Sequence, residues 1–207
     1  MPTRIKQSGS ALIVTMMIMV IMAITGLALL RAVDTGNLVA GNIGFKQAAI
    51  ISADSALKDS ANFLSTATLT ADSAADGYYA TGNQVYDWTG QSTPGDTTDD
   101  VDWDGTNSGI TTKAKQLTFP NGTTVDASGN RAYYIINRLC DHTGSSGAVG
   151  TSCATSNSQS TATGSTKVGA SYGQKALTTT VQVYYRITVK VVGPRNTVSY
   201  SQAFLLI

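Results

Sequence analysis

No glutamate occurs in this chain; its thirteen acids are all aspartate. A helix-favouring acid is thus missing, and a turn-favouring one replaces it. Histidine is nearly as scarce. The one copy, His142, lies in a glycine- and serine-rich stretch without Cys or His partners at zinc spacing. It reads as a solvated residue, not a general base. No nucleophile elbow, phosphate loop or zinc pattern occurs, so no enzyme is expected. Fourteen Lys and Arg against thirteen Asp leave a net charge of +1 with no basic patch or stripe. Nothing there meets phosphates, and no nucleic-acid partner is expected.

Cysteine is limited to Cys140 and Cys153, in "CDHTGSSGAVGTSC". A metal site needs more ligands than these. Outside the cytoplasm, the pair is most simply a disulfide rather than a metal site or two free thiols. Closing a loop of this size is worth about 3 kcal/mol on the chain-entropy estimate.

What the chain does have is one long apolar run, from Ser10 to Leu30, without a charge. At about 1.5 Å per residue it spans roughly 31 Å, enough for a bilayer core of about 30 Å. Core helices of soluble domains seldom run so long. Arg4 and Lys6 precede it, so the positive-inside rule puts the N-terminus in the cytoplasm and everything after Arg31 outside. A chain of 207 residues suits one domain plus such an anchor.

Beyond the apolar run, Leu38, Phe45, Ala49, Ser52, Ala56 and Phe63 fall on one helical face to about Ser65. Gly36, Gly41 and Gly44 each weaken this half by about 1 kcal/mol, so a local bend or unwound turn near 34–44 is expected. Residues 66–116 carry turn chemistry. Strand patterns return at Lys115–Phe119 and Arg131–Cys140, and 143–175 is a low-complexity surface excursion. Alternation then places Val181, Val183, Tyr185, Ile187, Val189 and Val191 on one face, and Val198, Tyr200, Phe204 and Leu206 alternate after "GPRN". This predicts a hairpin whose apolar face covers the helix.

"DDVDWDGTNS" places Asp100, Asp102 and Asp104 at positions 1, 3 and 5, with Gly105 at 6 and Thr106 at 7. That is the first half of a calcium loop, Thr106 offering its carbonyl. Position 12 holds Thr111, not an acid, and no flanking helix is evident. A solvated acidic turn is the competing reading.

The leader ending at Gly9, the uninterrupted helix, its amphipathic continuation and the late sheet with two cysteines together resemble type IV pilins and pseudopilins. "GNLVAGNIGFKQAAIISADSAL" and "YYRITVKVVGPRNTVSYSQAFL" are most similar to PilX-type minor pilins. The resemblance implies an α+β pilin-like fold, a long N-terminal helix packed on an antiparallel sheet of about four strands. It divides the chain into a leader (1–9), a transmembrane half-helix (10–30), an amphipathic half (31–65) and a periplasmic head (66–207). It implies cleavage by prepilin peptidase between Gly9 and Ser10, with Ser10 then N-methylated. The mature protein would wait in the inner membrane and then enter the extracellular pilus. Its partners would be the major pilin, other minor pilins and a tip adhesin, in a role in assembly and adhesion. Val14, fifth from Ser10, stands where most pilins carry a glutamate, which suits a subunit at the tip. A type II secretion pseudopilin, or an uncleaved anchor with a ligand-binding head, are the alternatives.

Overall fold

The computed structural model describes residues 10–67, 70–82, 85–158 and 180–207. Gly9, with the rest of the leader, and 159–179 of the low-complexity tract lie outside the described residues. Two compact units are present, Met1–Gln47 and Ala48–Ile207.

Helix α1 runs unbroken from Ser10 to Thr66. The unwound turn expected near 34–44 is absent. Gly36, Gly41 and Gly44 keep negative φ; glycine weakens a helix but leaves the N–H donors in place, and no proline interrupts the run. In the first unit every residue from 11 to 47 is exposed, including Leu38 and Phe45. In the second unit Ala49, Ser52, Ala53, Ala56, Ser60 and Leu64 form the buried face, with Phe63 half-buried beside it. These small side chains let the helix lie close on a sheet.

That sheet has six strands: β1 Tyr78–Tyr79, β2 Lys115–Gln116, β3 Arg131–Arg138, β4 Thr155–Ser158, β5 Thr180–Val192 and β6 Val198–Leu206. The architecture is α+β, as expected. The sheet is mixed, however, because β1 runs parallel to β3 while the other pairs are antiparallel. A two-residue strand needs only Gly77 to turn it. Gly77 sits at φ 62°, and a Cβ there would lie 2.8 Å from the Tyr134 carbonyl oxygen.

Cross-strand register decides which residues meet the helix. Ile187, Val189 and Val191 of β5 join Ala132, Tyr134 and Ile136 of β3 against α1. Pairing sets Val191 opposite Ser199 and Ile187 opposite Ala203. The β6 residues on the helix side are therefore Ser199, Ser201, Ala203 and Leu205. Val198, Tyr200, Phe204 and Leu206 lie on the other face, contrary to the hairpin expectation. The reason is parity: directly paired residues share a face, and the turn pairs odd with odd. Val181 is also exposed.

The far face of the sheet is covered by the turn-rich segment. Tyr79, Tyr86, Val101, Trp103, Tyr133 and Ile135 form a second apolar cluster. Strand β3 is thus covered on both faces, which is why it is buried at every position from Ala132 to Arg138.

Candidate functional site

The apolar helix is the first functional feature. From Leu12 to Leu30 its large side chains are all exposed, Val14 among them at 54 %. It is long and apolar enough to cross a membrane. The hydroxyls of Thr15 and Thr25 donate to the carbonyls of Leu12 (2.9 Å) and Ile21 (3.0 Å). Both are satisfied within the helix, as an apolar surrounding requires. Ser10 opens the helix. The first charge after Val14 along the helix is Arg31.

The cysteines are joined: Cys140 and Cys153 form a disulfide. Its place in the sheet was not legible from spacing. β3 pairs with β5 from Val192 back to Tyr185, and β4 continues along β5 from Val183 to Thr180. Between them the Leu139 amide donates to the Tyr184 carbonyl, and the Tyr184 amide donates to that of Ala154. β3 and β4 therefore act as one strand interrupted by a pinched-off loop. The disulfide closes the loop's base, and the Ala154 amide donates across it to Leu139 at 2.7 Å. Buried Arg138 holds the same corner, its Nε donating to the Ala80 carbonyl (3.1 Å) and Nη2 to that of His142 (3.3 Å). The His142 ring itself is exposed, with Nδ1 3.2 Å from the Asp141 carboxylate.

The acidic loop is built mainly from self-capping turns. Asp102 Oδ1 accepts the Gly105 amide at 2.9 Å. Asp104 Oδ1 accepts the Thr106 hydroxyl at 2.7 Å and its amide at 3.2 Å. Those bonds, the hydroxyl's first, hold the Asp104 carboxyl below the usual range. Asp102 is also tied by its backbone, its amide donating to Thr112 and its carbonyl accepting from Ala114. No group of three or more His, Cys or Asp side chains placed to share a metal exists among the described residues. The turn thus gives Asp104 Oδ1 and Asp102 Oδ1 their partners, and Asp100, Asp102 and Asp104 do not form such a group.

Sequence reasoning missed the aromatic ladder above this loop. Rings of Tyr79, Tyr86, Trp88, Trp103 and Tyr200 follow one another at centroid distances of 5.0 to 6.5 Å. The Trp88 carbonyl accepts both Trp103 Nε1 and the Tyr200 hydroxyl at 3.0 Å. Burial pushes the Tyr86 hydroxyl up to about 12. A signal was present: Tyr86 and Trp88, then Val101 and Trp103, stand two apart, the period of extended chain. The surrounding turn residues obscured it. Beneath the ladder, Asp87 fastens its own loop. Partial burial raises its carboxyl, but the amides of Thr89, Ser92 and Thr93 and the Thr89 hydroxyl outweigh that and hold it well below the usual range.

Comparison with known protein families, curated proteins and solved structures finds no match to this chain.

Proposed function

We propose that this chain is a minor pilin that helps to initiate and cap a type IV pilus. The observation carrying this reading is a single helix in two regimes. Residues 11–47 present every side chain outward, and the same helix then buries Ala49 to Leu64 under a sheet. An element exposing so many apolar side chains needs either lipid or like helices around it. Burying each large one is worth roughly 1.5–3 kcal/mol against water. Lipid gives no such drive between helices, but a filament in water does. Ala23, Gly26 and Ala28 would permit close approach in such a core.

Cleavage after Gly9 would leave the helix attached to the head. In the family this chain resembles, a carboxylate at the position of Val14 neutralises a neighbour's terminal amine. A subunit with no neighbour above it has no such amine to meet. An unpaired charge in a low-dielectric core costs several kcal/mol, so valine suits the tip.

N-terminal mass spectrometry of membrane-extracted protein tests the reading: a methylated Ser10 is expected, and an intact Met1 overturns it. Loss of surface pili on deletion is the second expected result. Lost secretion with normal pili would assign the chain to a secretion pseudopilus instead. Val14→Glu should change the abundance or position of the protein in sheared pili; no change would sink the tip assignment.

A further inference from the structure

The dipeptide Asn-Gly occurs once in the chain, at Asn121–Gly122, in the loop between β2 and β3. Residues 120–124 are all exposed, so solvent reaches this stretch freely. Gly122 sits at φ 78°, and no atom beyond its chain neighbours lies within 4 Å of where a Cβ would stand. A residue without a Cβ leaves the Asn121 carboxamide an unhindered approach to the next amide nitrogen.

The carboxamide is also polarised. Its Oδ1 accepts the Thr123 amide at 3.1 Å. It lies 2.8 Å from the Thr123 hydroxyl, whose proton it shares with the Val125 carbonyl at 2.6 Å. Donors on Oδ1 draw electrons from Cγ and stabilise the negative charge that forms on this oxygen when a nucleophile adds. That nucleophile is within the chain: the Gly122 nitrogen is the next backbone amide, an intramolecular partner. Its N–H donates to the Phe119 carbonyl at 2.8 Å and closes a turn. The bond must open before attack, and in an exposed turn such opening costs little.

Asparagine is a thermolabile side chain. We propose that Asn121 is a site of spontaneous deamidation, and that isoaspartate formed there opens the turn seating Phe119. The Gly122 nitrogen gives its proton to hydroxide and bonds to Cγ of Asn121. The Cγ–Nδ2 bond breaks, and ammonia leaves with a proton taken from water. A five-membered imide remains, which water then cleaves. Breaking the bond between Cγ and the Gly122 nitrogen gives aspartate. Breaking the bond between the backbone carbonyl carbon and that nitrogen gives isoaspartate, with the main chain rerouted through Cγ. No oxidant or cofactor takes part. Either product carries a negative charge that asparagine lacks. Isoaspartate also lengthens the main chain inside the turn by one carbon. Two bonds span that carbon: Gly122 amide to Phe119 carbonyl, and Phe119 amide to Thr123 carbonyl at 2.8 Å. Phe119 is 8 % exposed and belongs to the helix-side cluster, so its seat loosens with them. This goes beyond the pilin reading and does not rest on it.

Asn107 is the internal comparison. It is exposed and its Oδ1 accepts the Gly109 amide at 3.0 Å in a similar turn, but serine follows it. The full chain in detergent is kept warm at mildly alkaline pH for weeks, then sampled by isoelectric focusing and fragment-ion mass spectrometry. An acidic form should accumulate, faster as pH rises, because only the deprotonated amide attacks. Its added mass, that of OH replacing NH2, should fall on residue 121, several-fold sooner than on residue 107. Asn121→Gln would need a six-membered ring for the same step and should lack the acidic form. In the isolated isoaspartate form, hydrogen exchange at the amides of Phe119 and Gly122 should speed up. Conversion at Asn121 no faster than at Asn107 overturns the proposal. So does an equal acidic form in Asn121→Gln, or unchanged exchange in the isoaspartate form.

Discussion

Asp126 shows how one side chain fixes the helix on the sheet. Its carboxylate accepts the hydroxyl of buried Ser52 and, at 2.8 Å, Nδ2 of buried Asn130. The amides of Ser128 (2.7 Å) and Asn130 (2.8 Å) complete the set. Burial raises this carboxyl, but the Ser52 hydroxyl, then the Asn130 and Ser128 groups, outweigh it and bring it below its ordinary 3.8. A depressed carboxylate contributes stability above its unfolded value and loses it as pH falls through the folded one. Melting temperature should therefore drop on acidification below about pH 4, and Asp126→Asn should flatten that drop. Asp126→Ala strands Ser52 and Asn130 and should cost about 1–3 kcal/mol in denaturant unfolding. Seven residues after Ser52 on the same helix, Asp59 accepts the Tyr134 hydroxyl at 2.8 Å. Two polar clips two turns apart set the helix's rotation and slide, which the alanines alone leave loose. Gly77→Ala meets the backbone of Tyr134 and Lys115 and carries a positive φ besides. A loss of at least about 1 kcal/mol is expected there by thermal melting.

Among the elements, β5 has the largest role. It touches β3, β4 and β6 along its length and supplies Ile187, Val189 and Val191 to the helix side. Ile187 is 2 % exposed, so Ile187→Ala should cost about 2–5 kcal/mol in chemical denaturation. The disulfide acts one level up. Cys153→Ser releases a loop spanning 13 positions and should cost about 3 kcal/mol. Hydrogen exchange should locate that loss unevenly. Amides of 155–158 and 180–183 should lose protection first, because only the pinched base keeps β4 in line with β3. Those of 131–138, paired on both edges, should hold.

For the molecule as a whole, the division between Gln47 and Ala48 matters most. Both apolar clusters lie wholly within Ala48–Ile207. A chain beginning at Ala48 should remain soluble without detergent and melt cooperatively by circular dichroism. The full chain should require detergent, since Leu12, Ile13 and their apolar successors are exposed.

The long helix, the strand at Arg131, the last two strands and the cysteine pair were legible because each rests on local pattern: length of an apolar run, period two, or the only two thiols. The mixed sheet, the outward face of β6 and the role of 79–114 as the cover of the sheet's far side were not. Each depends on which distant residue stands opposite, and a shift of one position moves a side chain to the other face. The same holds for the aromatic ladder, whose rings come from Tyr79, Trp88, Trp103 and Tyr200, far apart in the chain. Composition and periodicity determined that there would be an apolar rod and an amphipathic continuation ready to meet strands. Only tertiary pairing decided which faces are buried, because burial is a property of neighbours, and neighbours across a sheet are set by register rather than by residue type.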